Sequence, residues 1–330
     1  MTQTSFTSAI EDGLIVVFGG AGFIGTHLMD QLKAEGFSRI ISIDASAPKR
    51  PVKGVTYRLH DVRHLDDVNF DEPVSLIFNL AAVHTTPGHE PWEYYDTNVL
   101  GAISIVRFAR RHRTKSMVFT SSISVYGPDE NAKVESCLVT PVSDYGRSKF
   151  MAEQVHRAWL EESPDFKLVI SRPAVVFGLG EGGNFTRLAS MLKKGFFVYP
   201  GRRDTIKSCI YVRDLTSWLI DAAKRSDRYI IFNGAYSERY TIEQIVDTFR
   251  EVAFPNARTY LLPAVVLKAM AALLRPLSST GLGIHPDRIK KLMASTNVLP
   301  DWAESAGLQT SGRLKKGLEE WRIAGGGHFL

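Results

Sequence analysis

Cysteine is nearly missing: only Cys137 and Cys209 occur in 330 residues. Two isolated cysteines make neither a disulfide framework nor a metal-ligand spacing, and no metal site is expected; a reducing compartment fits them best. Long apolar runs are missing as well. No stretch of about 18 apolar residues exists, so nothing is expected to span a bilayer as a helix. The start, Met1 to Ser8, is rich in Ser and Thr and lacks a basic segment followed by an apolar one. No secretory signal is therefore expected, and the expected location is the cytoplasm. Repeats and long low-complexity tracts are absent. Charge is only mildly unbalanced, 40 Lys and Arg against 35 Asp and Glu for a net +5. The basic residues are scattered and do not interleave with aromatics, which argues against a nucleic-acid partner. An anionic substrate or an anionic membrane surface stays open.

The composition that remains, 44% hydrophobic and 23% charged, suits a globular enzyme of one large or two modest domains. Leu14-Ile-Val-Val-Phe18 is wholly apolar and rich in β-branched residues, the pattern of a buried parallel strand. Further strands are expected at Arg39 to Ile43, Val74 to Leu80, Lys115 to Thr120 and Lys167 to Ser171. Helical patterns fall between them, at Thr26 to Ala34, Asn98 to Arg111 and Tyr145 to Glu162. Such alternation implies βαβ units and an α/β fold, a doubly wound parallel sheet of the Rossmann type. After about residue 178 the rhythm changes. Helices are expected at Thr241 to Val252, Pro263 to Leu274, Pro286 to Met293 and Ser311 to Trp321. The expected organisation is a nucleotide-binding domain over residues 1–178 and a smaller, mostly helical substrate lobe over 179–330, some of whose elements return to the first domain.

Gly19, Gly22 and Gly25 follow the first strand and open the first helix; Gly20, Gly22 and Gly25 also spell G-x-G-x-x-G. Glycine there permits a tight turn and lets backbone approach a pyrophosphate at the helix N-terminus. Asp44 closes the second strand at about the 20-residue distance expected of an acid that accepts hydrogen bonds from ribose hydroxyls. It would repel a 2′-phosphate, which favours NAD over NADP. Lys49 and Arg50 follow shortly and read as a solvated loop.

Tyr145-Gly-Arg-Ser-Lys149 places a phenol and an ammonium four residues apart, on one face if the segment is helical. The ammonium is expected to lower the phenol from its ordinary value of about 10. A Tyr so placed can take a proton from an alcohol while a cofactor takes the hydride.

Together with these segments, Asp61-Val62, Asn79-Leu-Ala-Ala82, Asn98-Val-Leu-Gly101, Thr120-Ser-Ser-Ile-Ser-Val-Tyr-Gly127 and Arg172-Pro-Ala-Val-Val-Phe-Gly178 stand in an order that resembles the extended short-chain dehydrogenase/reductases, in particular NAD-dependent sugar epimerases and dehydratases. The likeness runs from Leu14 to about Trp321. It implies a catalytic set of Ser122, Tyr145 and Lys149. It implies NAD contacts from Gly19, Gly22, Phe23, Ile24, Gly25, Asp44, Asp61, Val62, Leu80, Ala81, Ala82, Asn98, Tyr145, Lys149 and Pro173, with Asp61 and Val62 at the adenine and Asn98 supporting the site's geometry.

Dehydratases of this kind carry an Asp-Glu pair just after the catalytic hydroxyl. Ile123 and Ser124 stand there instead, which points to oxidation and re-reduction at C4 of a sugar rather than loss of water. For the substrate, the likeness implies contacts from His84, Ser122, Asn184, Lys207 and Tyr211. Lys207-Ser208 replaces the usual Arg-Asp, so a phosphate contact falls to Lys207 or shifts to Arg202 or Arg203; strand core is the alternative for Tyr211, and a loop histidine for His84. Ala81-Ala-Val-His84, Glu93-Tyr-Tyr-Asp-Thr-Asn98 and Lys290-Lys-Leu-Met-Ala-Ser-Thr296 resemble bacterial surface-polysaccharide epimerases, some of which act on N-acetylhexosamine joined by diphosphate to undecaprenol. The carrier, UDP or polyprenol, stays open, as does a net oxidoreductase such as a keto-sugar reductase or a 3β-hydroxysteroid dehydrogenase-like enzyme. Leu261 to Leu277 is apolar with Lys268 and Arg275 at its edges, too short to span a bilayer. It reads as a packed lobe helix, with peripheral contact at the inner face of a membrane as the alternative. The likeness also implies a homodimer.

Overall fold

The computed structural model describes residues 13–85, 88–266 and 294–330. In chain order its strands are β1 Leu14–Phe18, β2 Ile40–Asp44, β3 Val55–Leu59, β4 Val74–Asn79, β5 Ser116–Thr120, β6 Asp129–Lys133, β7 Lys167–Pro173, β8 Val175–Phe177, β9 Phe196–Gly201, β10 Cys209–Tyr211, β11 Tyr229–Gly234, β12 Arg258–Pro263 and β13 Thr296–Val298. The α-helices are α1 Phe23–Ala34, α2 Pro91–Tyr95, α3 Gly101–Arg111, α4 Asp144–Leu160, α5 Asn184–Lys193, α6 Val212–Lys224, α7 Ile242–Val252, α8 Asp301–Ser305 and α9 Leu314–Ala324.

Two compact units form. The first comprises the chain up to Gly127, then Leu138–Pro173 and Val212–Gly234; the second comprises Pro128–Cys137, Ala174–Tyr211 and the chain from Ala235. The polypeptide thus leaves the first unit after Pro173 rather than at 178, and comes back to it for α6 and β11.

In the first unit seven strands form one sheet in the order β11-β7-β5-β4-β1-β2-β3. Every adjacent pair is parallel. All five residues of β1 are buried, as a strand covered on both faces requires. Leu14, Val16 and Phe18 join one apolar cluster with Phe108 of α3 and Trp159 of α4. Alternation sends Ile15 and Val17 to the other face. Strand order reverses between β1 and β4, so a crevice opens beyond their C-terminal ends.

The second unit holds three parallel strand pairs, β8 with β10, β9 with β12 and β6 with β13. Its aromatic core includes Phe177 stacked on Phe185 at 4.7 Å, with Tyr211, Phe249 and Trp321 around them. Among the described residues these short strand pairs accompany helices α5, α7, α8 and α9. Leu261–Pro263, expected to belong to an apolar helical segment, pair instead with Tyr199–Gly201. Pro263 ends an edge strand there, where its missing N–H costs no ladder bond. The rest of that segment from 267 on, and the helix expected at Pro286 to Met293, lie outside the described residues. No helix among the described residues is long and apolar enough to cross a membrane.

His156 of α4 is fully buried under this sheet. Its Nδ1–H donates to the Ala152 carbonyl at 2.7 Å, and its Nε2 accepts from the Asn79 amide at 3.2 Å. The ring stacks on Phe119 at 4.2 Å. Burial, with the charge of Lys149 adding to it, pushes the imidazole down to about 4 from 6.5. In the unfolded chain the same ring takes its proton near 6.5, so between the two values the unfolded state binds more protons, and stability is lost as pH falls from 6.5 toward 4. At about 1.4 kcal/mol per pH unit the residue accounts for a loss of about 3 kcal/mol across that window. Urea denaturation at a series of pH values should show a His156→Gln variant flatter than the parent by this amount; equally steep curves refute it.

Candidate active site

The glycine loop lies at the C-terminal end of β1. Gly19 has φ of 75°, and a Cβ on it would sit 2.6 Å from the Ala81 backbone nitrogen. Glycine is thus required on two counts, the left-handed backbone and the closeness of the segment leaving β4. Helix α1 then starts at Phe23 with Gly22 as N-cap, no capping side chain and no acidic residue in its first turn. Its first N–H groups fit an anionic group such as a pyrophosphate. Phe23 and Ile24 are half-buried and Gly25 is buried. Asp44 ends β2 and ties the loop down: Oδ2 accepts the Ala21 N–H at 3.1 Å and Oδ1 the Ser46 N–H at 2.9 Å. Arg50 pairs with Asp30 of α1 at 2.6 Å. Asp61 accepts from Arg63 Nε at 3.0 Å and from the Arg63 N–H at 2.9 Å. That guanidinium holds its carboxyl below the usual range. Val62 is buried and packs on Gly101, where a Cβ would stand 2.9 Å from its Cγ1. Leu80, Ala81 and Ala82 continue from β4, and Pro173 is buried at the end of β7, paired with Gly234.

Ser122 begins a short turn after β5, Ile123–Val125, in which its Oγ accepts the Ser124 N–H at 3.1 Å and donates to Ser124 Oγ at 3.1 Å. Helix α4 starts opposite, capped by Ser143, whose Oγ accepts the Gly146 N–H at 3.1 Å. The first turn of α4 carries Tyr145, the next Lys149, as the spacing predicts. The Tyr145 phenol is hydrogen-bonded to Ser122. Gly146 makes this approach feasible: a Cβ there would lie 2.4 Å from the Ser124 carbonyl oxygen and 3.2 Å from Pro141. Lys149 is 2% exposed, and its Nζ lies 4.6 Å from the centre of the Phe119 ring.

The electrostatics differ from the expectation that Lys149 lowers Tyr145. Burial raises the phenol above its ordinary value, the bond to Ser122 opposing it and Tyr94 adding to the rise. Burial also pushes Lys149 down to about 7. An ammonium this dry is itself near half-neutral at about pH 7, so it cannot offset the phenol's desolvation.

Asn98 does not begin a regular helix. It sits in a π-helical turn, Asp96–Leu100, between α2 and α3. Its Oδ1 accepts the Val83 N–H at 2.9 Å; its Nδ2 donates to the Val83 carbonyl at 3.1 Å and to Ser148 Oγ at 2.9 Å. The amide therefore pins the segment after β4 to α4, beside Tyr145. His84 follows on that segment; its residue surface is exposed, yet its ring is desolvated enough, with Lys149 adding, to lie below the ordinary imidazole value.

Ser122, Tyr145, Lys149, His84 and the glycine loop thus belong to one unit. Asn184, Lys207 and Tyr211 belong to the other. Asn184 is exposed at the start of α5, where its Oδ1 accepts from Arg187 at 3.2 Å. The first N–H groups of that helix are already engaged by the Glu181 carboxylate, Thr186 N–H at 3.0 Å among them. Lys207 Nζ donates to the Ala294 carbonyl at 2.7 Å, and burial with Arg202 nearby pushes it down to about 8. Arg202 pairs with Glu130 at 2.6 Å and Arg203 with Glu243 at 3.0 Å. Tyr211 is corrected from substrate contact to strand core: it is 2% exposed, packed on Phe177 and Gly317. Apolar neighbours on both sides of β10 claim the ring. Sequence reasoning misses Glu153 and Arg172, although Glu153 stands four residues beyond Lys149 and so on its face of α4. Among the described residues no group of three His, Cys, Asp or Glu could hold a metal ion.

Residues 15–233 match the family described as NAD dependent epimerase/dehydratase. A similar curated protein is the N-acetyl-alpha-D-glucosaminyl-diphospho-ditrans,octacis-undecaprenol 4-epimerase of Escherichia coli O157:H7, 24% identical over 92% of this chain and 93% of that one. Among solved structures, the UDP-N-acetylglucosamine 4-epimerase from Methanobrevibacter ruminantium M1 superposes with a TM-score of 0.73 at 21% identity, over 96% of this chain and 99% of that one. The UDP-glucose 4-epimerase of Thermus thermophilus, solved as a complex with NAD, superposes at 0.63 with 23% identity, over 77% and 92%. These structures share the fold.

The contact at Gly146 is testable without a substrate. A Gly146→Val variant forces α4 away from the Ser124 carbonyl, at a cost of about 1–3 kcal/mol for overpacking. Urea denaturation should show that loss, and tyrosine titration should show the Tyr145 phenol moving further up as its bond to Ser122 breaks. A variant as stable as the parent with an unchanged titration refutes the close approach.

Proposed function

Because the chain belongs to the NAD dependent epimerase/dehydratase family, we propose that it is an NAD-dependent 4-epimerase of a diphosphate-activated hexose or N-acetylhexosamine, working in cell-surface polysaccharide synthesis. The observation that carries this reading is the Tyr145–Ser122 bond one helical turn from Lys149, next to a turn whose Ile123 is buried and apolar. A dehydratase needs a second acid and base at that turn; Ile123 and Ser124 offer none.

The glycine loop would hold NAD, which would supply a reversible hydride acceptor for C4 with no net redox change. Tyr145 takes the O4 proton as the hydride leaves and gives it back on return. Ser122 shares a hydrogen bond with the same oxygen and fixes it against the phenol. Lys149 supplies positive charge beside Tyr145 and the nicotinamide ribose. Asp44 receives the adenosine ribose hydroxyls, Asp61 and Val62 border the adenine, and Leu80, Ala81, Ala82 and Pro173 line the groove. His84 serves the sugar.

The relatives support both carriers. The Escherichia coli enzyme is named for an undecaprenol-linked sugar, and the solved structures for UDP-sugars. Val265 and Leu261, 78% and 46% exposed, support a peripheral contact with a membrane at its cytoplasmic face, through 261–277. Trp92, Leu100 and Met151, exposed on α2, the π turn and α4, support a homodimer built on those helices.

The decisive assay incubates the protein with UDP-N-acetylglucosamine, UDP-glucose and polyprenyl-diphosphate N-acetylglucosamine and follows the configuration at C4. One of them should be interconverted without release of NADH; free NADH accumulating with substrate points to a net oxidoreductase instead. Tyr145→Phe should cut turnover by about 10²–10⁴-fold while NAD stays bound, since a positioned proton acceptor contributes that much. Unchanged turnover sinks the reading. Asp44→Ala removes charge-assisted bonds to the ribose, so calorimetry should show NAD binding about 10- to 100-fold weaker and the preference over NADP narrowed. NAD affinity equal to the parent's would rule out Asp44 as the ribose acid.

A further inference from the structure

A buried ion pair lies directly behind the candidate site and has no part in the chemistry described above. Glu153 and Arg172 are 0% and 2% exposed. The Glu153 carboxylate accepts from Arg172 Nε at 2.9 Å and Nη2 at 2.7 Å. Arg172 Nη1 donates to the Tyr126 hydroxyl at 2.7 Å, and that hydroxyl donates to Asn233 Oδ1 at 3.0 Å. Tyr126 closes the turn that Ser122 opens, and Arg172 lies at the end of β7. The network therefore joins α4, the Ser122 turn and the ends of two strands. Packing alone does not call for it, because apolar residues of equal volume commonly hold such a place at least as well.

We propose that Glu153 is a positioning residue that keeps Lys149 charged, and that Arg172 limits how strongly it does so. This rests on the reading in which Lys149 supplies positive charge beside Tyr145. Lys149 lies one helical turn before Glu153 on the same face of α4. Glu153 is the one carboxylate acting on it among the described residues. From its own helix His156 and Tyr145 face it, from the segment after β4 His84, and from β5 the uncharged ring of Phe119; Arg172 of β7 acts through Glu153. Both histidines are driven toward neutral, so neither supplies a counter-charge. Burial strips Lys149 of water; the Glu153 carboxylate favours its proton, and the face of the Phe119 ring adds a weaker attraction. Arg172 takes both oxygens of that carboxylate and cancels much of its field.

Two substitutions of one ion pair should then act in opposite directions. The protein, isotope-labelled at lysine Cε and saturated with NAD, is titrated by NMR, the Lys149 resonance being assigned with Lys149→Met. Glu153→Gln should lower the Lys149 midpoint by about one pH unit or more, the size expected for losing a nearby opposite charge. Arg172→Met should raise it. The double variant E153Q/R172M strands no buried charge and should lower the midpoint by less than Glu153→Gln alone, so it decides the matter if a single variant fails to fold. The alkaline limb of turnover should move with the midpoint in each case. Single-variant shifts of the same sign, or an unmoved midpoint in the double variant, would overturn the proposal. The resonance is read with no sugar present, so this outcome is separate from the fate of the epimerase reading, which Tyr145→Phe decides.

Discussion

All seven strands of the first unit run the same way, and most of what is distinctive about it follows from that. Parallel neighbours require crossovers, and crossovers bring helices over both faces of the sheet. The C-terminal ends of the strands then share one edge. Gly19, Asp44, Leu80, Ser121 and Pro173, far apart in the sequence, each sit at or just past a strand end on that edge. Chemistry collects there because backbone groups leaving a strand are free of the ladder and can be turned toward a ligand. The reversal between β1 and β4 decides where along the edge. Gly19 and Ala81 come so close at that point that a methyl group would not fit.

A second constraint is dryness. Lys149, Glu153 and His156 of α4, and Arg172 of the strand beside it, are all buried. Burial drives both Lys149 and His156 toward their neutral forms. A lysine under water would be a fixed cation; in this setting its charge is adjustable. The same loss of water keeps the Tyr145 phenol protonated and makes its hydrogen bond to Ser122 matter.

Legibility in the sequence follows the strength of the local signal. The unbroken apolar run bounds β1 to the residue, and distance from the glycines places Asp44 at the end of β2. Tyr145 and Lys149 share a helix face because four-residue spacing in a helix leaves no other arrangement. β3 is hard to read because Val55-Thr-Tyr-Arg-Leu59 is an edge strand and half-exposed. β11 is hidden because its place in the sheet is visible only once the chain has returned from the second unit. The π turn leaves no mark because the helix before it, Pro91–Tyr95, is too short to establish an apolar period that an extra residue could visibly break. Tyr211 looks like a site residue by order along the chain, but what fixes it is the aromatic packing of Phe177 and Trp321, which no linear spacing records. The second unit is the least legible part, since its paired strands are short and join segments far apart in sequence.

The π turn at Asp96–Leu100 carries one residue more than an α-helical turn would. Taking one residue out would give a smoother helix of nearly equal composition. A π turn takes about five residues through the sweep that about four make in an α-helix, so the flanks would keep nearly their present orientation and the change would fall inside the turn. Asn98, in the middle of the turn, would lose the spacing that lets one amide reach both Val83 and Ser148. This segment is therefore less tolerant of a change in length than of a change in its exposed side chains. A homologous chain with a deletion there would have to tether the loop after β4 to the catalytic helix by some other residue.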